Sequence, residues 1–156
     1  MRNLACVLSF FFVLPLASYA GDNLDQLLQT YSKHTKTLAG LTTMLVADVQ
    51  AAHSGDEAAT RIEAYATIYH VVAQAFQNLM PAYLKANSAG TLSDLESQSM
   101  MESSQRMSEA GKMLTSESDA FDEALKPFQN EPRVTAAVNT FVKEGQALQA
   151  IAQQYK

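Results

Sequence analysis

Methionine and histidine are the residues of this sequence whose chemistry best suits a metal ion. Four methionines lie close together in the chain, at Met100, Met101, Met107 and Met113. Thioether sulfur selects Cu(I). Met100 and Met107 are two helical turns apart, so their sulfur atoms share a face but lie about 10 Å apart along the axis. A ligand from another helix, such as His34 or Met44, is needed to complete a site, and the alternative is that these methionines fill gaps in the core.

The three histidines form no familiar metal-binding motif. His34 borders the apolar stripe of the first predicted helix, His53 lies at its end, and His70 lies on the outer side of the second. There is no Glu-x-x-His, as in di-iron bundles, and no His-Glu-x-x-His, as in zinc proteases. His34 is therefore either a metal ligand together with Met100 and Met107 or a hydrogen-bonded residue at the edge of the core.

Aromatic residues of the second predicted helix are a candidate site for an apolar ligand. Tyr65, Tyr69 and Tyr83 lie on its buried stripe, where each hydroxyl needs a partner or access to water. Phe76 and Tyr83 flank Pro81, which lacks a backbone N–H and is expected to kink the helix or end it just before the proline. We expect an opening there, lined by Phe76, Tyr83 and Tyr69.

Several chemistries are excluded or disfavoured by the residues that are missing. The carboxylates from Glu117 to Glu123 lack the glycine turn and ordered spacing of a calcium loop, so we predict a solvated acidic face. The one cysteine, Cys6, lies in the N-terminal apolar segment, so residues 21–156 hold no disulfide and no thiol nucleophile. The sequence has no Gly-x-Ser-x-Gly, no P-loop and no glycine-rich dinucleotide turn. We expect no enzymatic activity.

The N-terminus has the order of a secretory signal peptide. A basic start is followed by an apolar run from Leu4 to Leu16, and Ala17-Ser18-Tyr19-Ala20 then places small residues where signal peptidase cuts. The run is short for a transmembrane helix, and too little apolar sequence precedes Cys6 for a lipid anchor. We therefore expect a signal peptide at 1–20, a helical domain at 21–156, and a periplasmic or secreted protein without a stable membrane anchor.

Four segments have the apolar spacing of amphipathic helices. They run from Asp22 to His53, from a capping box at Ser54 past Pro81, from a capping box at Ser93 to about Leu125, and from Pro132 to the end. Their simplest arrangement is an all-α, up-down-up-down four-helix bundle. The alternative is a long helical hairpin whose third segment packs only after dimerisation.

Two positions weaken the predicted packing. Ser103 lies on the stripe of the third segment, which is the weakest of the four stripes and rich in Ser and Gln. In the last helix, Gly145 lies where another core residue is expected, which predicts a close approach of two backbones there.

In length and compartment the chain is similar to the bundle cytochromes that hold non-covalent haem between one Met and one His. In that family the ligands come from near the start of the first helix and from within the last. Residues 22–28 contain no Met, and the predicted last helix contains no His. The resemblance therefore covers architecture alone and transfers no haem ligand.

Charge and surface composition limit the choice of partner. The formal net charge is −5, and loss of Arg2 with the leader makes it one unit more negative, so nucleic acid and anionic membrane are poor partners. We expect a non-enzymatic module that binds another envelope or extracellular protein through the third helix, with Met101 and Met113 at the contact. Self-association into a homo-oligomer is left open. The alternative is a small-ligand or metal carrier, for copper or haem.

Overall fold

A computed structural model describes residues 24–42 and 44–154 of the chain. These residues form only helices and connections, without a strand, which confirms the predicted all-α class for this part of the chain. The helices are α1 (Leu24–Thr42), α2 (Leu45–Gln50), α3 (Gly55–Ser88), α4 (Asp94–Ser116), α5 (Ser118–Leu125) and α6 (Pro132–Gln154), with a 3-10 turn at Lys126–Phe128. None of these helices combines the length and the apolar character needed to cross a membrane. The predicted signal peptide lies outside the described residues.

Helices α1 and α2 replace the continuous helix predicted from Asp22 to His53. Gly40 and Thr42 lie just before the break, and both residue types have low helix propensity. The predicted apolar stripe nevertheless stays buried on both sides of the break. The fully buried residues of the stripe nearest the break are Leu38 before it, and Leu45 and Val49 after it.

Helix α3 begins at the predicted reversal of the chain. The Ser54 hydroxyl accepts a hydrogen bond from the backbone N–H of Glu57 at 3.2 Å, and the Glu57 carboxylate accepts one from the backbone N–H of His53 at 2.9 Å. A Cβ on Gly55 would lie 2.6 Å from Cγ of Glu131. The absence of a side chain at Gly55 lets the segment before α6 pack closely against this reversal.

Helix α3 continues through Pro81 and ends at Ser88, so of the two predicted alternatives, a kink at the proline or an end just before it, the end is wrong. The proline removes the hydrogen bond to the carbonyl of Gln77. Pro81 and Gln77 are both exposed, so water can hydrogen-bond to that carbonyl without interrupting the helix.

The turn between α3 and α4 has well-defined capping. Gly90 has a φ of +66°, and the N–H of Thr91 donates to the carbonyl of Ala86 at 3.0 Å, which is the Schellman pattern of a helix C-terminus. The predicted capping box at Ser93 is confirmed. Its hydroxyl accepts from the N–H of Glu96, and the Glu96 carboxylate accepts from the N–H of Ser93 at 2.7 Å.

Helices α3 and α6 run parallel to each other. Asp56 and His70 of α3 pair with Arg133 and Glu144 of α6, both at 3.0 Å, so the partners advance along the two helices in the same order. The predicted close backbone approach at Gly145 is wrong, because a Cβ built there meets nothing within 4 Å. Side chains, rather than glycine, therefore set the distance between these helices.

Helices α1 and α4 form a second parallel pair. Asp25 of α1 contacts Glu96 of α4, and further along α1 Ser32 accepts a hydrogen bond from Arg106 at 3.4 Å. Helix α1 runs antiparallel to α3, because Tyr31 of α1 contacts Phe76 with ring centroids 5.4 Å apart, whereas Asp48 of the following α2 bonds to Tyr65, earlier in α3. The fold is therefore two parallel pairs joined through α1 and α3.

Candidate functional site

Met107, one of the predicted sulfur ligands, is engaged within the fold. It is half-buried, and its sulfur accepts a hydrogen bond from the Tyr31 hydroxyl at 3.6 Å. Burial raises the pKa of Tyr31 to about 12, so this hydroxyl keeps its proton and can donate it. Met100 is buried two turns earlier on the same face of α4. Both side chains pack in the core, and a metal would have to displace Tyr31 from Met107.

His34, the third predicted metal ligand, is not brought to these methionines by a visible contact. Ser32 faces α4 through Arg106, and His34 lies roughly 200° further around α1. Burial, followed by the charge of Lys33, lowers the pKa of His34. Within residues 24–42 and 44–154, no three His, Cys, Asp or Glu side chains gather closely enough to hold a metal ion.

The residues predicted to line an apolar opening lie in different environments. Tyr69 is buried and packs edge-on against Phe141, with ring centroids 5.4 Å apart. Phe76 is buried against Tyr31. Tyr83 is half-buried near the end of α3. Tyr69 and Phe76 thus fill the core, and Tyr83 alone of the three keeps substantial access to solvent.

The acidic run lies at the junction of α4 and α5. The sequence predicts one helix through this region, but α4 ends and α5 begins on either side of Glu117. The charged residues of the run are exposed, and Glu123 forms an ion pair with Lys126. This arrangement fits a solvated acidic surface.

The surface of α4 that faces solvent carries Met101, one of the two residues predicted for a protein contact. We define the α4 outer face as Leu95, Gln98, Met101, Gln105 and Ser108, all of which are exposed. Leu95 is 76% exposed and Met101 is 66% exposed, whereas Met113 is half-buried. Gln98 and Gln105 each donate to a glutamate one turn later, at 3.0 and 2.8 Å. These bonds restrain the polar side chains around Met101.

Sequence reasoning missed a polar network between α2 and α3. The Tyr65 hydroxyl donates to the Asp48 carboxylate at 2.8 Å, and Arg61 donates to the Asp48 carbonyl and to Glu57. Burial and the Asp48 carboxylate raise the pKa of Tyr65. Nε of Arg61 is buried without a hydrogen-bond partner. The network joins the two helices beside the reversal. The sequence signal that could have predicted it is the position of Arg61, one turn after Glu57.

A polar groove on the α1 side of α4 was also missed. It has a volume of about 430 Å³ and is lined by Gln29, Ser32, Lys33, Lys36, Thr37 and Ser99. Five of these residues come from two turns of α1, and Ser99 comes from α4. The spacing of Lys33 and Lys36 was a signal for this surface, but the sequence did not show that α4 forms its other wall.

Comparison with protein-family models, with curated proteins and with solved structures gives no match for this chain.

Proposed function

We propose that this chain is an exported, non-enzymatic helical protein that binds another protein of the envelope or extracellular space through the α4 outer face. The supporting observation is the exposure of Leu95 and Met101 on a helix that is buried only at Met100, Ser103 and Ala110. Exposed methionine adapts its shape to a partner, and it is frequent on binding surfaces.

The neighbours of α4 make this surface accessible. The helix packs against α1 through its narrow buried face, and its remaining circumference faces solvent or is half-exposed. We further propose that the four long helices form an up-down-up-down bundle, in which α1 contacts both α3 and α4, and α3 contacts α6. The ring contact between Phe121 of α5 and Phe141 of α6, with centroids 6.1 Å apart, joins α5 to this bundle.

Site-specific photo-crosslinking tests the proposed contact. A photoreactive phenylalanine is placed at Leu95 or Met101, and at Val142 of α6 as the matched control, because Val142 is also exposed, at 47%. We expect one partner to be captured from both α4 positions and not from Val142. A crosslinked product of twice the chain mass would show that the partner is a second copy of this chain and not a different protein.

Affinity for the captured partner provides the second measurement. We expect Met101→Glu to weaken binding at least tenfold, or about 1.4 kcal/mol, because a charge would then lose hydration in the contact. Val142→Glu should leave the affinity unchanged, and both variants should unfold at the same urea concentration as the parent. Equal weakening by the two variants, or by neither, contradicts the proposal.

Export is tested independently of binding. N-terminal sequencing of the protein from the envelope fraction should begin at Gly21 if the leader is cleaved after Ala20. A chain that begins at Met1 in the cytosolic fraction contradicts the export proposal.

A further inference from the structure

The polar groove between α1 and α4 has a size suited to a small molecule. Its volume of about 430 Å³ lies within the range of roughly 300–1,000 Å³ typical of small-ligand sites. Gln29, Lys33 and Lys36 are exposed on its α1 wall, and Ser32, Thr37 and Ser99 are half-buried. A ligand would therefore lie along two turns of α1 with its other side against α4.

The charge of the lining disfavours cationic ligands. All six lining side chains are polar and none is a carboxylate, although acidic residues outnumber basic ones in the whole chain. Lys33 and Lys36 lie one turn apart, so their ammonium groups can approach one anionic group together. Gln29 and Ser99 add an amide and a hydroxyl for polar atoms around that group.

The rim of the groove carries charged residues that lie outside its lining. Arg106 donates to the Ser32 hydroxyl at 3.4 Å, which leaves the Ser32 proton available for donation into the groove. Glu102 pairs with Arg106 at 3.0 Å, and the acidic residues Asp25 and Glu96 contact each other one turn before Gln29. None of these carboxylates lines the groove, so Lys33 and Lys36 are the charged residues of its lining.

We propose that this groove binds the phosphate group of a small polar molecule, with Lys33 and Lys36 as the charge partners and Gln29, Ser32 and Ser99 as hydrogen-bond donors. A phosphate offers several acceptor oxygens and a negative charge, and both features match this lining. The site lies on a different surface from the α4 outer face and does not depend on a protein partner there.

The test uses the purified protein and four probes, followed by backbone amide NMR shifts. The probes are glucose 6-phosphate, glucose, inorganic phosphate, and vesicles that contain phosphatidylglycerol. Glucose 6-phosphate and inorganic phosphate are expected to shift the amides from Gln29 to Thr37 and that of Ser99, and glucose should bind at least tenfold more weakly. Raising the ionic strength should weaken binding, because the two lysines are exposed.

Matched lysine variants decide whether the groove is responsible. The double variant K33Q/K36Q should raise the Kd for glucose 6-phosphate at least tenfold. The control K112Q/K143Q removes the same charge from exposed positions outside the groove and should change the Kd less than twofold. The variant Met101→Glu should leave phosphate binding unchanged, which separates this site from the proposed protein contact.

The remaining outcomes are equally decisive. Vesicle binding that K33Q/K36Q abolishes, without binding of the soluble probes, supports the phosphate site and assigns its ligand to a lipid headgroup. Absence of binding by every probe overturns the proposal. It is also overturned if the two double variants lose affinity equally, because binding would then report net charge alone.

Discussion

The α3–α6 pair is held together by large side chains and ion pairs. Arg133 bonds to Asp56 at 3.0 Å and to Glu63 at 3.2 Å, and its pKa is raised by these carboxylates. Within the pair, Tyr69 meets Phe141 edge-on, which is a favourable geometry for two aromatic rings. This half of the molecule combines apolar burial with contacts that fix the register of the two helices.

In the α1–α4 pair, α4 contributes smaller and softer side chains. The buried residues of α4 are Met100, Ser103 and Ala110, and its long-range hydrogen bonds include the Tyr31–Met107 contact at 3.6 Å. Less apolar area is therefore removed from water in this pair, and its contribution to stability is expected to be smaller.

The difference between the pairs indicates a division of roles. We infer that α3 and its contacts with α6 contribute most of the stability, so the sequence of α4 is less constrained by packing. Both surfaces proposed to bind other molecules involve α4, one on its outer face and one where it meets α1. A helix that contributes little to the core can change its exposed residues at low cost in stability.

The largest effect that tests this comparison is expected from Phe141→Ala. The substitution removes ring contacts with Tyr69 and Phe121 and leaves a cavity, so we expect a loss of about 3–5 kcal/mol in the free energy of unfolding. Urea denaturation measures the loss. The matched change in the other pair is Met107→Ala, which should cost clearly less because Met107 is half-buried. An equal or larger loss for Met107→Ala would remove the proposed difference between the pairs.

Ser103→Ala is expected to stabilise the α1–α4 pair. The Ser103 side chain is fully buried and its hydroxyl has no hydrogen-bond partner, so its removal relieves a desolvation cost. This relief and the higher helix propensity of alanine should together raise the free energy of unfolding by about 1 kcal/mol. Ser108→Ala on the exposed face is the control, and its free energy of unfolding should rise only by the contribution of helix propensity. If the two variants gain equally, the buried hydroxyl carries no cost.

Much of the fold could be predicted because helices repeat every 3.6 residues. The stripe of α3 identified core residues from Ile62 to Leu79 correctly, since amphipathic spacing alone determines which side faces the core. The cap at Ser54 and the capping box at Ser93 marked two helix starts for an equally local reason. The sequence left open whether the helix continues through Pro81, because continuity depends on whether water reaches the carbonyl of Gln77.

The candidate sites could not be predicted in the same way. The groove joins Lys33 to Ser99, and the helix contact joins Arg106 to Ser32, across many residues of sequence. Polar contacts of this kind leave no periodic pattern, and they depend on which helices are neighbours. The exposure of Met101 could be predicted from the sequence, because this residue lies opposite the buried face of α4.

Gly145→Ala tests the comparison through a smaller expected change in the free energy of unfolding. A Cβ at this position meets nothing within 4 Å, and glycine inside a helix is unfavourable relative to alanine, so we expect a gain of about 0.5–1 kcal/mol. Gly111→Ala in α4 is the matched control, because it is also unobstructed. Similar gains are expected in both pairs, as measured by urea denaturation. A loss at Gly145 would mean that α3 and α6 approach each other more closely than the structure describes.

The smallest expected effect is a pH dependence that originates in α1. Burial and Lys33 lower the pKa of His34 below its usual 6.5, so the folded state binds this proton less readily than the unfolded chain does. As the pH falls through 6.5 towards the folded-state pKa, protonation of the unfolded chain should therefore destabilise the fold. His34→Gln should remove this part of the loss between pH 7.5 and 5.5. Lys33→Gln should remove a smaller share of this pH-dependent loss, because burial lowers the pKa of His34 more than Lys33 does. Lys112→Gln should leave the change of stability with pH unaltered. A His34→Gln protein with the parent's full pH dependence would show that the weaker helix pair is not the source of this sensitivity.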